Sequence, residues 1–169
     1  RLFVSSADYF EDVRIGDALL TRITDAYRRI RNTFRFMLGN LSDFDPAADT
    51  VPYSDLEEID RYALYRLEQL VEVVTRSFEG YEFHKVYHAA HNFCAVDLSA
   101  FYLDVLKDRL YASARDARAR RSAQTALYDI VSTLSRLLAP ILVHTMEEVW
   151  RELPGEGRAE SVHLARFPE

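Results

Sequence analysis

His84, His88, His91 and Cys94 recur at spacings of four, three and three, which places them along one stripe of a helix. Imidazole and thiolate are zinc ligands, and two of them at i and i+4 can share one ion, but four on a single straight helix cannot close a tetrahedron. No His-Glu-x-x-His and no Cys-x-x-Cys accompanies them. The histidines therefore read as structural or incidental and Cys94 as a small core hydrophobe, so no metal ligand is assigned. An acid and base grouping of Glu82 with His84 and His88 is the remaining route to an intrinsic active site. The chain has no phosphate loop, no dinucleotide glycine motif and no Gly-x-Ser-x-Gly elbow. Carboxylates such as Glu57, Glu58, Glu147 and Glu148 fall where helices start, which capping explains. No catalytic residue is assigned.

Guanidinium chemistry is better represented. The net charge is −6 over 169 residues, which alone argues against a general nucleic-acid binder. Its distribution does not: residues 22–35 hold five arginines against Asp25 alone, and residues 107–121 hold six cations against Asp108 and Asp116, so each stretch is +4 and the remainder −14. Two basic patches on an acidic body steer an anion to one surface and repel it elsewhere. At about 100° per residue, Arg28, Arg31, Asn32 and Arg35 fall on the arc opposite Leu19, Ile23, Ile30, Phe34, Met37 and Leu41, with Phe36 beside the polar arc. Arginine forks pair with phosphate, asparagine addresses a base edge, and a ring stacks on an unpaired base. That combination suits RNA. A solvated helix face, with Phe36 covered by a neighbouring helix, is the plainer alternative. Lys107 and Arg109, in a stretch that ends one helix, and Arg115 and Arg118, in the arginine-rich loop that follows, would grip backbone phosphates, although cations near a helix C-terminus are also favourable without any ligand.

Helices must position these groups. Only 5 Gly and 5 Pro interrupt the chain, about half the usual share, and they leave pieces at 17–38, 53–79, 81–139 in at least two parts, and 141–153. The first repeats apolar residues at steps of three and four, with Gly39 suited to a left-handed cap. Ser54-x-x-Glu57 reads as a capping box for the second piece. After Tyr81 the apolar period continues to Leu106, breaks over 113–121 and resumes near Ser122. Pro140 predicts a kink or a stop, and Thr145-x-x-Glu148 a fresh cap. Residues 161–167 alternate in polarity like a short strand, and residues 1–6 could form another. The expected fold is all-α, a bundle of about five helices with short extended ends, in one domain: a lead-in at 1–14, the bundle at 15–153 and an extended segment at 154–169. The longest apolar run, 137–143, is far short of the ~20 residues that cross a bilayer. No membrane segment or signal peptide is expected, and a lone cysteine fits a reducing compartment.

Several of these stretches resemble one family. Residues 27–41 (YRRIRNTFRFMLGNL) and 43–46 (DFDP) closely resemble the anticodon-binding helical domain of isoleucyl-tRNA synthetase, a class I aminoacyl-tRNA synthetase, as do 97–104 (DLSAFYLD), 107–111 (KDRLY), 121–125 (RSAQT), 138–142 (LAPIL), 145–150 (TMEEVW) and 161–164 (SVHL). Valyl and leucyl relatives share the bundle but are not expected to show LSAFY and KDRLY so fully. The family's His-Ile-Gly-His and Lys-Met-Ser-Lys-Ser signatures are absent, so the resemblance implies an excised domain that does not itself activate isoleucine or edit. The implied function is binding of the isoleucine-tRNA anticodon stem and loop, positioning the tRNA for the parent chain's catalytic domain in the cytoplasm. The RNA-binding residues would be Arg28, Arg31, Asn32, Arg35, Phe36, Lys107, Arg109, Arg115 and Arg118. No cofactor is expected in this segment; ATP and Mg belong to the parent enzyme, and the zinc of some family members lies outside it. A helical protein-interaction module for an acidic partner is the alternative reading.

Overall fold

A computed structural model describes residues 1–12 and 15–168; residues 13 and 14, at the end of the lead-in, and 169, at the end of the tail, lie outside the described residues. The helices are α1 (Leu2–Ser6), α2 (Asp17–Gly39), α3 (Glu58–Glu79), α4 (Phe83–Asn92), α5 (Leu103–Ala112), α6 (Arg118–Leu138) and α7 (Val143–Glu152), with a π-helical segment, Phe93–Tyr102, fusing α4 to α5. Five long bodies result: α2, α3, the α4–π–α5 rod, α6 and α7. This is the all-α bundle that the apolar spacing predicts. No strand occurs among the described residues.

Helix α6 is the axis of the bundle. Twelve of its 21 residues are buried, because it packs on α2, α3, α5 and α7 at once. Ile30, Phe34 and Met37 of α2, Leu67 and Val74 of α3, and Leu98 and Leu106 of the rod converge with Leu127, Ile130, Leu134 and Leu137 of α6 in one core. Each fully buried aliphatic contributes about 1.5–3 kcal/mol relative to exposure.

Where the local reading fails, a tertiary contact has taken over. Ser54 does not cap α3: it lies in a 3-10 turn, Tyr53–Asp55, with its hydroxyl on Asp55 Oδ1. Leu56 is extended and buried, the helix starts after Glu57, and the Glu57 N–H is satisfied by Ser122 Oγ of α6 at 2.8 Å. Gly39 adopts no left-handed cap. It is the last helical residue, and the Asn40 amide closes the end on the Phe36 carbonyl at 2.8 Å. Pro140 is a stop: α6 ends at Leu138, and the chain turns into α7 at Val143. Thr145 therefore lies inside α7, and its hydroxyl meets Tyr27 Oη at 3.1 Å instead of capping.

The π-helical segment replaces what looks like an unbroken helical period. Ser99 Oγ donates to the Cys94 carbonyl five residues back at 2.7 Å and meets Thr33 Oγ1 of α2 at 3.0 Å, so the widened turn is pinned where the rod crosses α2. Buried Cys94, Leu98 and Tyr102 recur every four residues, with Phe93 beside the first, close enough to 3.6 to mask it. The chain ends are not strands. Leu2–Ser6 forms α1 against α4, and residues 162–164 form a 3-10 turn with Val162 buried and Leu164 exposed. With no neighbouring strand to pair, alternation alone did not make a sheet.

Candidate nucleic-acid interface

The core face of α2 is Ala26, Ile30, Thr33, Phe34 and Met37, which turns Arg28, Arg31, Asn32 and Arg35 outward. Arg28 is paired with Asp25 at 3.1 Å. Arg31 and Arg35 are exposed and have no carboxylate within 4 Å among the described residues. Arg35 stands between two open clefts. One, about 400 Å³, has Arg31, Arg35 and Ser42 on one side and Thr145, Glu148 and Glu152 of α7 on the other. The second, about 450 Å³, is lined by Asn32, Arg35, Phe36, Gly39, Asn40 and Tyr111. Gly39 opens both: a Cβ added there would meet nothing within 4 Å.

Phe36 is half-buried against the core, and its ring meets Tyr111 edge-on at 6.5 Å. Tyr111, at 65% exposure, is the residue that sequence reasoning missed. Its position closing the basic KDRLY turn was the available signal. It brings the end of α5 beside the end of α2, so an amide, a guanidinium and two rings surround one cleft. Those are the groups that pair with a phosphate, read a base edge and stack on an unpaired base.

The second basic stretch is different in kind. All six of its cations have carboxylate partners. Lys107 is paired with Asp104 at 2.6 Å, which raises the pKa of its amine, and Arg118 with Asp55 at 3.3 Å. Arg120 grips Asp43 bidentately at 2.9 and 3.0 Å, Arg115 adds a contact to Asp43 at 3.3 Å, and Arg121 reaches Asp49 at 3.3 Å. Gln124 donates to both Asp43 Oδ1 and the Asn40 carbonyl at 2.8 Å. These contacts clamp the segment after α2 onto the start of α6. They also explain why α6 begins at Arg118, four residues before Ser122: of the arginines read as a loop, Arg118, Arg120 and Arg121 are its first turn, and Arg115 stays in the connection before it.

Arg109 donates to Asp60, which also accepts from Tyr102 Oη at 2.8 Å and Ser122 Oγ at 2.5 Å. Burial, reinforced by Asp60, pushes the Tyr102 phenol well above its ordinary range. Arg109 thus works on a buried carboxylate and Arg115 on the half-buried Asp43 that Arg120 already grips, whereas Arg118 holds Asp55, a partner exposed to solvent. Among the expected residues, the structure gathers Asn32, Arg35 and Phe36 at one cleft, with Arg31 on the adjoining one.

Cys94 is fully buried, and burial raises its thiol to about 12. His88 is exposed and His84 and His91 half-buried along α4. Glu82 pairs with Lys85 at 2.6 Å. Among the described residues no three His, Cys, Asp or Glu side chains converge as a metal site, and no helix is long and apolar enough to cross a membrane.

The sequence matches relatives over its whole length. It is 58% identical over 167 residues to the isoleucine-tRNA ligase of Syntrophotalea carbinolica, covering 99% of this chain and 18% of that protein. The isoleucine-tRNA ligases of Moorella thermoacetica and Listeria monocytogenes are 55% and 52% identical, each covering 100% of this chain and 18% of their own length. The chain thus spans under a fifth of these relatives. Residues 60–169 match the family described as the anticodon-binding domain of tRNA ligase, a span that holds all but the first two residues of α3, the helices through α7 and the Asp60 network, while α2 precedes it. The chain belongs to the anticodon-binding domain family of tRNA ligases.

Proposed function

We propose that the chain binds the anticodon stem and loop of isoleucine tRNA and holds that tRNA for a catalytic domain elsewhere in a longer, cytoplasmic ligase. The observation that carries this reading is the outer face of α2. Arg31 and Arg35 have no carboxylate within 4 Å among the described residues, and Arg35 shares a cleft with Asn32, Phe36 and Tyr111. Charge left unpaired on an acidic protein is positioned for an anionic ligand, and the rings beside it suit unstacked bases better than a duplex. The names of the relatives supply isoleucine as the amino acid. In this reading the reaction, its ATP and Mg, and any zinc belong to other parts of the ligase. The contribution here is orientation, which makes the later encounter with the acceptor end effectively intramolecular.

Binding to an isoleucine-tRNA anticodon stem-loop, compared with one of altered anticodon over a series of salt concentrations, tests it. Tighter binding to the matched loop is expected. Equal, salt-sensitive binding to both leaves phosphate attraction alone, and no binding even at low salt favours a protein-interaction module.

A further inference from the structure

Helix α2 carries two more arginines that the anticodon face does not use. Arg22 and Arg29 are exposed, and neither has a carboxylate within 4 Å among the described residues. Asp25, three residues from one and four from the other, is taken by Arg28. At 100° per residue Arg22 and Arg29 lie beyond Phe36, on the edge of α2 away from Arg31. Helix α4 packs along that side and presents Tyr87, His88 and His91. The His91 ring stacks on Tyr87 at 6.0 Å with planes 21° apart, and His88 meets Tyr87 edge-on at 5.0 Å. Burial and then the Arg29 charge lower the His91 imidazole, and burial raises the Tyr87 phenol against the opposing charge of Arg22, so these arginines act across the contact between α2 and α4. This flank includes the histidine stripe of α4.

Resting on the anticodon reading, we infer that Arg22 and Arg29 of α2, with His88 and His91 of α4, form a second contact that takes backbone phosphates of the tRNA stem. Two guanidinium forks and two imidazoles supply donors for anionic oxygens, and Lys85 nearby already holds Glu82. From Arg22 to Asn32 is ten residues, about 15 Å along α2. The ridge therefore continues away from the cleft that takes the loop, as a stem continues away from its loop. Burial and Arg29 hold His91 below the ordinary histidine range, so at neutral pH it serves as a neutral N–H donor, while the arginines carry the charge.

The two contributions are separable in the full-length protein. Arg22→Gln with Arg29→Gln is expected to lower the log-log salt slope of binding by about two, equally for matched and altered anticodons, because phosphate contacts carry no sequence information. His91→Phe keeps the stack on Tyr87 and removes the ring donors. It is expected to weaken both RNAs by about threefold to tenfold with the slope unchanged. Both arginines are exposed and unpaired among the described residues, so the glutamine pair retains the helix, checked by circular dichroism. Full affinity and slope in that pair, with wild-type protein still discriminating anticodons, overturns the ridge and leaves the anticodon reading intact. Absence of binding by the wild type overturns both.

Discussion

Arg109 Nη1 lies 3.1 Å from Oδ2 of Asp60, a carboxylate with no surface exposed to solvent. Arg109 itself is only 22% exposed at its side chain, and it ties the last turn of α5 to the first turn of α3. Removing one partner of a buried ion pair costs about 3–5 kcal/mol because the other charge is stranded. Tyr102 and Ser122 still solvate Asp60, which sets the expectation at the lower end. Arg109→Met should therefore lower unfolding free energy by about 3 kcal/mol in denaturant titration. A loss under 0.5 kcal/mol, the range usual for unremarkable surface changes, would contradict a structural role.

Arg31 and Arg35 predict the opposite signature. Both are exposed and lack carboxylate partners among the described residues, so reversing them to Glu breaks no ion pair. The stability change should stay within about 0.5 kcal/mol. RNA affinity should fall sharply and its salt slope shallow by about two or more, since each reversal removes one phosphate contact. Denaturation and RNA titration on the same variant check both halves, and unfolding without a specific binding defect would return these arginines to the scaffold.

Ser122 carries two duties that its sequence neighbourhood does not suggest. Its hydroxyl donates to Asp60 and accepts the Glu57 N–H that opens α3. Ser122→Ala should cost about 2 kcal/mol, a lost cap with a buried donor left unpaired, and should speed hydrogen exchange at the Glu57 amide. Ser54→Ala, at the position whose spacing looks like a cap, should change stability by less than about 0.5 kcal/mol. Equal effects would contradict the cap from α6.

The contrast between Ser54 and Ser122 marks what a single sequence discloses. Periodicity places α2 and α3, and Pro140 marks a kink or stop that the structure resolves as the end of α6, because burial of an apolar stripe and the chemistry of proline act over a few residues. It misses the Ser122 cap, the Thr145 bond to Tyr27 and the Asp43 clamp, because each joins residues more than sixty positions apart. The same distinction governs the site. The outward face of α2 was legible from angles along one helix, whereas the quenching of the arginines in 107–121 depended on carboxylates from the segment after α2, from α3 and from its lead-in. Tyr111 joined Phe36 only once α5 lay beside α2.

Glu147 gives a pH-dependent prediction for the chain end. Its Oε2 accepts from Ser161 Oγ at 2.7 Å and from the Val162 N–H at 3.1 Å, and its Oε1 lies 3.1 Å from Arg151. Led by the Ser161 hydrogen bond, these hold the carboxyl below the ordinary glutamate range. A depressed folded-state value means that the stabilisation is fully present above the unfolded pKa of about 4.3 and is lost as pH falls through the lower folded value. The protonated acid no longer accepts the Val162 amide as strongly, so the 161–164 turn should loosen first. Trp150 reports on this directly, since its Nε1–H donates to the Ala159 carbonyl at 2.9 Å, just before that turn. The indole N–H resonance should hold its position down to about pH 4 and then shift in the wild type. In Glu147→Gln it should already sit displaced at neutral pH and show no matching transition. An identical acid transition in both proteins would show that another carboxylate controls the tail.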